Sequence, residues 1–373
     1  MNVADHLRAL CAIDSTSSLS NQPMIDHLQR LLEGRGLSCT RDSYADARGV
    51  EKHNLVARAG PAGDIELALV GHTDCVPFDP TWGEALTLTA RDGKLFARGA
   101  CDTKGFIACA LTALAALDLA RLKRSLALVF TADEEVGCLG AKRLADARPF
   151  RVRYAIVGEP TQLQPIRANK GYCLAEIEFT GQEGHSAYPE RGTSAIRAAG
   201  RFLTALDALD QGLRAQPDPA FAPPYTTTNV GLIHGGKAKN IIPGSCSLTL
   251  EWRPVPSQDP ALVREQVRAI LAQLQSSEPG LTIRYDPARL DHGFKTAAES
   301  AVVQFIAGAT NLQSGTVAFG TEGPQLHALG AEVVVFGPGD IRVAHRTGEF
   351  VPEQDLAVCT RVLGGAIQRF CVD

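Results

Sequence analysis

Ile65-Glu66-Leu67-Ala68-Leu69-Val70-Gly71-His72-Thr73-Asp74 is a short apolar run closed by glycine, with a histidine and a carboxylate at its end. A run of this length, bounded in this way, is the pattern of a buried strand. His72 and Asp74 stand two residues apart, so in extended chain both side chains leave the same face. One can then act as a ligand and the other as its orienter. His-x-Asp by itself is more often structural than functional. Its weight comes from what lies outward: Asp102, Glu134, Glu135 and Glu159 each follow an apolar run or flank a glycine, and His345 stands near the end of the chain.

The chain of 373 residues is too long for one ordinary core, which predicts two domains. Its 45% hydrophobic and 21% charged residues are a globular composition. A net charge of −4 and a pI near 6.2 exclude the basic signature of a nucleic-acid or polyanion partner. Met1 to His6 lacks the charged start and apolar core of a signal peptide, and the longest apolar stretch, 106–117, is too short to span a bilayer. None of the ten cysteines falls in a Cys-x-x-Cys pair, and several (Cys109, Cys173, Cys246) lie in apolar helix or strand patterns. Reduced, mostly buried thiols in a cytoplasmic protein are expected.

Strands are expected around 54–58, 65–70, 125–131 and 154–157, alternating with helices from Pro23, at 105–117 and at 141–147. This alternation predicts an α/β unit with a mostly parallel central sheet, and the acids follow its strands, where open α/β sheets place their sites. From Asn169 the pattern changes to strand 173–180, helix 194–209, strands 227–234 and 246–253, helix 260–275 and strand 281–285. That β-α-β-β-α-β order predicts a ferredoxin-like α+β insertion. The α/β pattern resumes with a helix from Ala298, strand 333–336 and a helix at 352–370. The expected division is 1–168, 169–286 and 287–373, the middle part being inserted.

Two histidines and several carboxylates without thiolate favour zinc, cobalt or manganese. A pair of ions about 3.5–4 Å apart needs a bridging carboxylate and ligands on each side. Asp102 as bridge, with His72, His345, Glu135 and Glu159 completing the two sets, meets that count. Neighbouring residues Glu134 and Glu135 point in different directions, so one can bind metal while the other serves as general base. An isolated Asp133-Glu134-Glu135 triplet would otherwise read as a solvated acidic turn.

Four motifs occur in order: Gly71-His72-Thr73-Asp74-Cys75-Val76-Pro77, Ala97-Arg98-Gly99-Ala100-Cys101-Asp102-Thr103-Lys104-Gly105, Thr131-Ala132-Asp133-Glu134-Glu135 and Val157-Gly158-Glu159-Pro160-Thr161. In these motifs the whole chain resembles the M20 family of dinuclear zinc aminoacylases and peptidases, whose inserted domain is a lid and dimerisation domain. The resemblance is greatest to the branch that removes the acetyl group from N2-acetyl-L-ornithine, through Asn169-Lys170-Gly171, Gly184-His185-Ser186, Gly320-Thr321-Glu322 and Gly337-Pro338-Gly339-Asp340 before Ala344-His345. It implies that His72 and Glu159 hold one divalent ion, Glu135 and His345 the other, and Asp102 both; zinc is expected and cobalt is an alternative. It further implies that Asp74 orients His72, that Glu134 is the base, and that His185 stabilises the oxyanion from a partner subunit in a homodimer. Asn240, Arg253, Gly320 and Thr321 would contact the substrate, a small N-acyl amino acid.

Thr103, Tyr172, Arg342 and Arg346 depart from the family's usual residues and leave side-chain specificity open. A related hydrolase acting on N-acetylcitrulline, succinyl-diaminopimelate or general N-acyl amino acids is the near alternative, and a metal-binding relative without catalysis the distant one.

Overall fold

The central strand Ile65–His72 is buried along nearly its whole length, because helices cover the sheet on both faces and every apolar side chain finds a neighbour. The computed structural model describes residues 1–373. The sheet order is Ser38–Ala45, Glu51–Ala59, Leu126–Thr131, Ile65–His72, Val152–Val157, Glu332–Val335 and then Ile166–Asn169. The four strands from Leu126–Thr131 to Glu332–Val335 are mutually parallel, and the flanking ones run antiparallel. The outermost strand, Ser38–Ala45, has no counterpart in the sequence expectation: its partly exposed edge position leaves no continuous apolar run to mark it.

Register brings the strand ends level. His72 pairs with Thr131, and Val70 pairs with Val157, so the segments that follow these three strands leave the sheet side by side. The helix Lys104–Ala115 is apolar all round and buried, and packs beneath them. Gly158 lies so close to it that a Cβ there would sit within 2.8 Å of three ring atoms of Phe106. Only glycine lets the chain pass at that point and deliver Glu159 beyond it.

The chain forms two units, Met1–Ala168 with Lys295–Gly315 and Thr321–Asp373, and Asn169–Phe294 with Thr316–Gly320. The return to the first unit thus falls at Lys295 and not at residue 287, because the last strand of the second unit runs through Thr282–Asp291 and still pairs with Tyr172 at Asp291. That second unit has strands Tyr172–Thr180, Thr227–Gly235, Ser245–Arg253 and Thr282–Asp291 with helices Ala195–Arg214 and Pro260–Ser277. Its strands are antiparallel, and in chain order within the unit they lie 2-3-1-4, the ferredoxin-like arrangement. Ser194 caps one helix through the Arg197 N–H, and Asp259 caps the other ahead of Pro260. No disulfide forms; nine of the ten cysteines are buried and Cys39 is half-buried. No helix is long and apolar enough to cross a membrane.

Candidate metal centre

Asp102 lies at the start of the helix Lys104–Ala115, and its two carboxylate oxygens face two different histidines. Oδ1 is 3.0 Å from His72 Nε2, and Oδ2 is 3.2 Å from His345 Nε2. Glu135 Oε2 is 3.0 Å from the same His345 nitrogen, while Oε1 is buried without a hydrogen-bond partner. His72, Asp102 and Glu135 offer donor atoms that all lie within 4.8 Å of one another. His345 adopts φ +60°, a left-handed backbone that histidine rarely takes and that is tolerated where surroundings over-determine it.

Electrostatics single out the same residues. Burial raises Glu134 to about 8, against the favourable charge of His72, and it raises Glu159 well above the ordinary range with help from the Asp102 and Glu134 charges. Hydrogen bonds to the accepting carboxylates of Asp102 and Glu135 push His345 up to about 10. Burial opposes ionisation of Asp102, yet the two histidines overcome it and hold its carboxyl low. Burial likewise works against a charged His72, which Asp102 nonetheless raises well above its usual value. Oxygen and imidazole donors gathered in this way, with no thiolate among them, match a divalent zinc-like ion and not a Cys-rich structural site. The residues fit the group.

Asp74 does not orient His72 through its carboxylate. His72 Nδ1 lies 3.0 Å from the Asp74 backbone oxygen and 3.7 Å from its Oδ1. The carboxylate turns instead to the acidic segment, accepting from the N–H of Glu134 (3.1 Å), the N–H of Glu135 (3.3 Å) and the Ser17 hydroxyl (2.8 Å). Three donors on one carboxylate outweigh the longer contact to an imidazole that a nearer carbonyl already satisfies. Asp74 therefore fixes the Glu134–Glu135 turn.

Sequence reasoning missed the residues behind the centre. Lys52 Nζ donates to Asp133 Oδ1 at 2.7 Å and to the Ser17 carbonyl, and Tyr44 donates to Asp133 Oδ2. Asp133 itself sits at φ +58°, so the buried ion pair holds a strained residue immediately before Glu134. Arg98 pairs with Glu349 at 2.6 Å, and Glu349 Oε1 accepts from the N–H groups of Cys101 and Asp102. Nothing local marks Lys52, which stands between Glu51 and His53-Asn54 at the polar start of its strand, and its partner lies 81 residues away.

Thr321 is buried, with its hydroxyl accepting from the Gly323 N–H. The adjacent Glu322 is buried too, and burial raises it to about 7. Thr103 donates to the Gly158 carbonyl, and Arg342 is exposed and taken up by Asp340. His185, Asn240, Arg253 and Gly320 belong to the second unit. There the two-residue strand Gly184–His185 pairs with Ile241–Ile242, and Ser186 donates to the Asn240 carbonyl, so His185 and Asn240 are held together. The Ala187 N–H donates to His185 Nδ1, which leaves the ring proton on Nε2. Arg253 pairs with Glu251 at 2.8 Å.

The sequence profile of peptidase family M20/M25/M40 matches residues 68–369. The chain belongs to this family. It is 55% identical over 368 residues to an acetylornithine deacetylase of Myxococcus xanthus, covering 98% of this chain and 96% of that protein. An acetylornithine deacetylase of Proteus mirabilis is 36% identical, with 98% of this chain and 94% of that protein covered. Among solved structures, the fold is similar to aminopeptidase PepT from Bacillus cereus, with a TM-score of 0.79, 19% identity and 99% and 98% of the two chains covered. A tripeptidase from Staphylococcus aureus gives a TM-score of 0.75 at 23% identity, over 97% and 96% of the chains. The expected M20 family and α/β fold class are both found.

Proposed function

We propose that this M20 hydrolase removes the acetyl group of N2-acetyl-L-ornithine, giving L-ornithine and acetate. The observation that carries the chemistry is Asp102 set between His72 and His345, with the acidic turn of Glu134 and Glu135 beside it. The substrate follows from the 55% identity to an acetylornithine deacetylase. His72, Glu159, Glu135 and His345 would hold two divalent ions, zinc or cobalt, with Asp102 shared. Bound there, such ions supply Lewis acidity toward the acyl oxygen and a water of lowered pKa.

Glu134 takes a proton from the attacking water and passes it to the leaving amine; a carboxyl that burial has raised is suited to both halves of that transfer. The His185 Nε2–H donates to the oxygen that gains charge as the carbonyl becomes tetrahedral. Asn240 and Arg253, with Gly320 and Thr321, bind the amino-acid end of the substrate. The second unit acts as a lid, and it joins two copies in a homodimer so that His185 serves the partner's site. Ten cysteines without a disulfide, nine of them buried, support a cytoplasmic setting, and ornithine formation supports a place in arginine biosynthesis.

The test is kcat/KM of the zinc- or cobalt-loaded protein on N-acetyl-L-ornithine beside N-acetyl-L-citrulline and N-succinyl-diaminopimelate. A strong preference for the first is expected. Preference for either competitor would overturn the substrate and keep the reaction, whereas metal binding without turnover would overturn the enzyme.

A further inference from the structure

The second unit builds its core on one face of its sheet, through Cys173, Ala175, Ile177 and Phe179. Alternation along that strand sends Tyr172 to the opposite face. Register then carries two arginines to its ring. Trp252 pairs with Cys173, so Arg253, the next residue, comes alongside Tyr172 on one side. Asp291 pairs with Tyr172 on the other, and Arg289 precedes it by two residues. A bulge between Asp286 and Arg289 shifts the alternation by one, and without it Arg289 would face the core.

The guanidinium carbon of Arg253 lies 3.9 Å from the Tyr172 ring centroid, and that of Arg289 lies 4.4 Å from it. Both are well inside the roughly 6 Å range of a cation–π contact. Each arginine also pairs through Nε with an acid two residues away on its own strand, Arg253 with Glu251 and Arg289 with Asp291. With Nε engaged and the plane held by the ring, the terminal nitrogens remain for another acceptor, and little side-chain entropy is left to lose when it arrives. Gly320 completes the place: a Cβ there would stand 4.0 Å from Tyr172 Cβ.

We propose that Tyr172 is a positioning residue that holds Arg253 for the α-carboxylate of the substrate, and that Arg289, gathered on the same ring, is a second cationic contact for that carboxylate. This rests on the reading of Arg253 as a carboxylate contact in an N-acyl amino acid hydrolase.

The experiment uses the metal-loaded full chain carrying Glu134→Gln, so that substrate is held without turnover, and reads binding by calorimetry. The probes are N-acetyl-L-ornithine and N-acetyl-1,4-diaminobutane, which has a hydrogen in place of the carboxylate. Tyr172→Leu and, separately, Arg289→Gln should each weaken N-acetyl-L-ornithine about tenfold, the scale of one charge-assisted contact. Neither should change binding of the carboxylate-free probe, and Tyr172→Phe, which keeps the ring, should recover most of the loss. Equal losses on both probes, or no loss on N-acetyl-L-ornithine, would overturn the proposal. Failure of the unmutated enzyme to hydrolyse N-acetyl-L-ornithine would overturn the substrate reading alone, because the carboxylate-selective loss is read on binding.

Discussion

Side chains of the metal centre and of the second unit's polar face are charged alike, but they are held by different means. His72, Asp102 and Glu159 are buried, with His345 half-exposed at the rim, and behind them Lys52–Asp133 and Arg98–Glu349 are ion pairs withdrawn from water. His185 is exposed, while Arg253 and Arg289 keep 25% and 21% of their side-chain surface. A buried cluster is shaped before any ligand comes and is expensive to disturb, since removing one partner strands the other charge. A half-exposed cluster is held by stacking and short-range pairing, and water screens what is lost. The first region is fixed in place before a ligand arrives and the second meets the ligand at the surface, so substitutions in them should fail differently.

Glu134→Gln should break activity most. A positioned general base contributes about 10²- to 10⁴-fold, so kcat should fall by that order while metal content, measured by elemental analysis, is unchanged. Loss of metal together with activity would make Glu134 a ligand and end its assignment as base. Next comes Lys52→Met, which leaves Asp133 buried without its cation. A loss of about 3–5 kcal/mol in denaturant unfolding is expected. A loss below 1 kcal/mol would mean that the turn is not held from behind, and the contrast between the two regions would weaken.

His185→Ala tests the other side. Removing an oxyanion donor typically costs about 10²- to 10³-fold in kcat, and because His185 is exposed the unfolding midpoint should not move. A shifted midpoint with little change in kcat would reassign it to structure.

The smallest effect concerns protons. Without metal, His72 is raised well above its ordinary value and His345 to about 10, so both carry protons at pH 7 that must leave when they become ligands. Metal loading should therefore release protons, and apparent affinity should rise from pH 6 to pH 8. Calorimetry in buffers of different ionisation heat reads this directly, and proton uptake would contradict it.

Much of the centre is legible in the chain because it stands where regular patterns end. An apolar run that stops at Gly71 marks a strand end, and His72 follows it; the same holds for Glu134 and Glu135 after 126–131 and for Glu159 after 152–157. Parallel strands finish on one side of a sheet, so such residues meet without any knowledge of loops. The role of Asp74 was not legible, since two-residue spacing shows that side chains share a face and not which of several donors wins. The return point of the insertion was missed for a similar reason. Pro287 and the bulge at 286–289 interrupt the alternation, and the strand nevertheless continues on the sheet's edge to Asp291.

Periodicity along the chain is a property of neighbouring residues, and by itself it determined the two kinds of unit, the order of their main buried strands and helices, and the residues delivered to the strand ends. Contacts across long stretches of sequence are set by packing and register, which leave no local trace. Only the tertiary structure therefore decided that Lys52 would neutralise Asp133, that Glu349 would hold the backbone of Asp102, and that a bulge would turn Arg289 onto the ring of Tyr172.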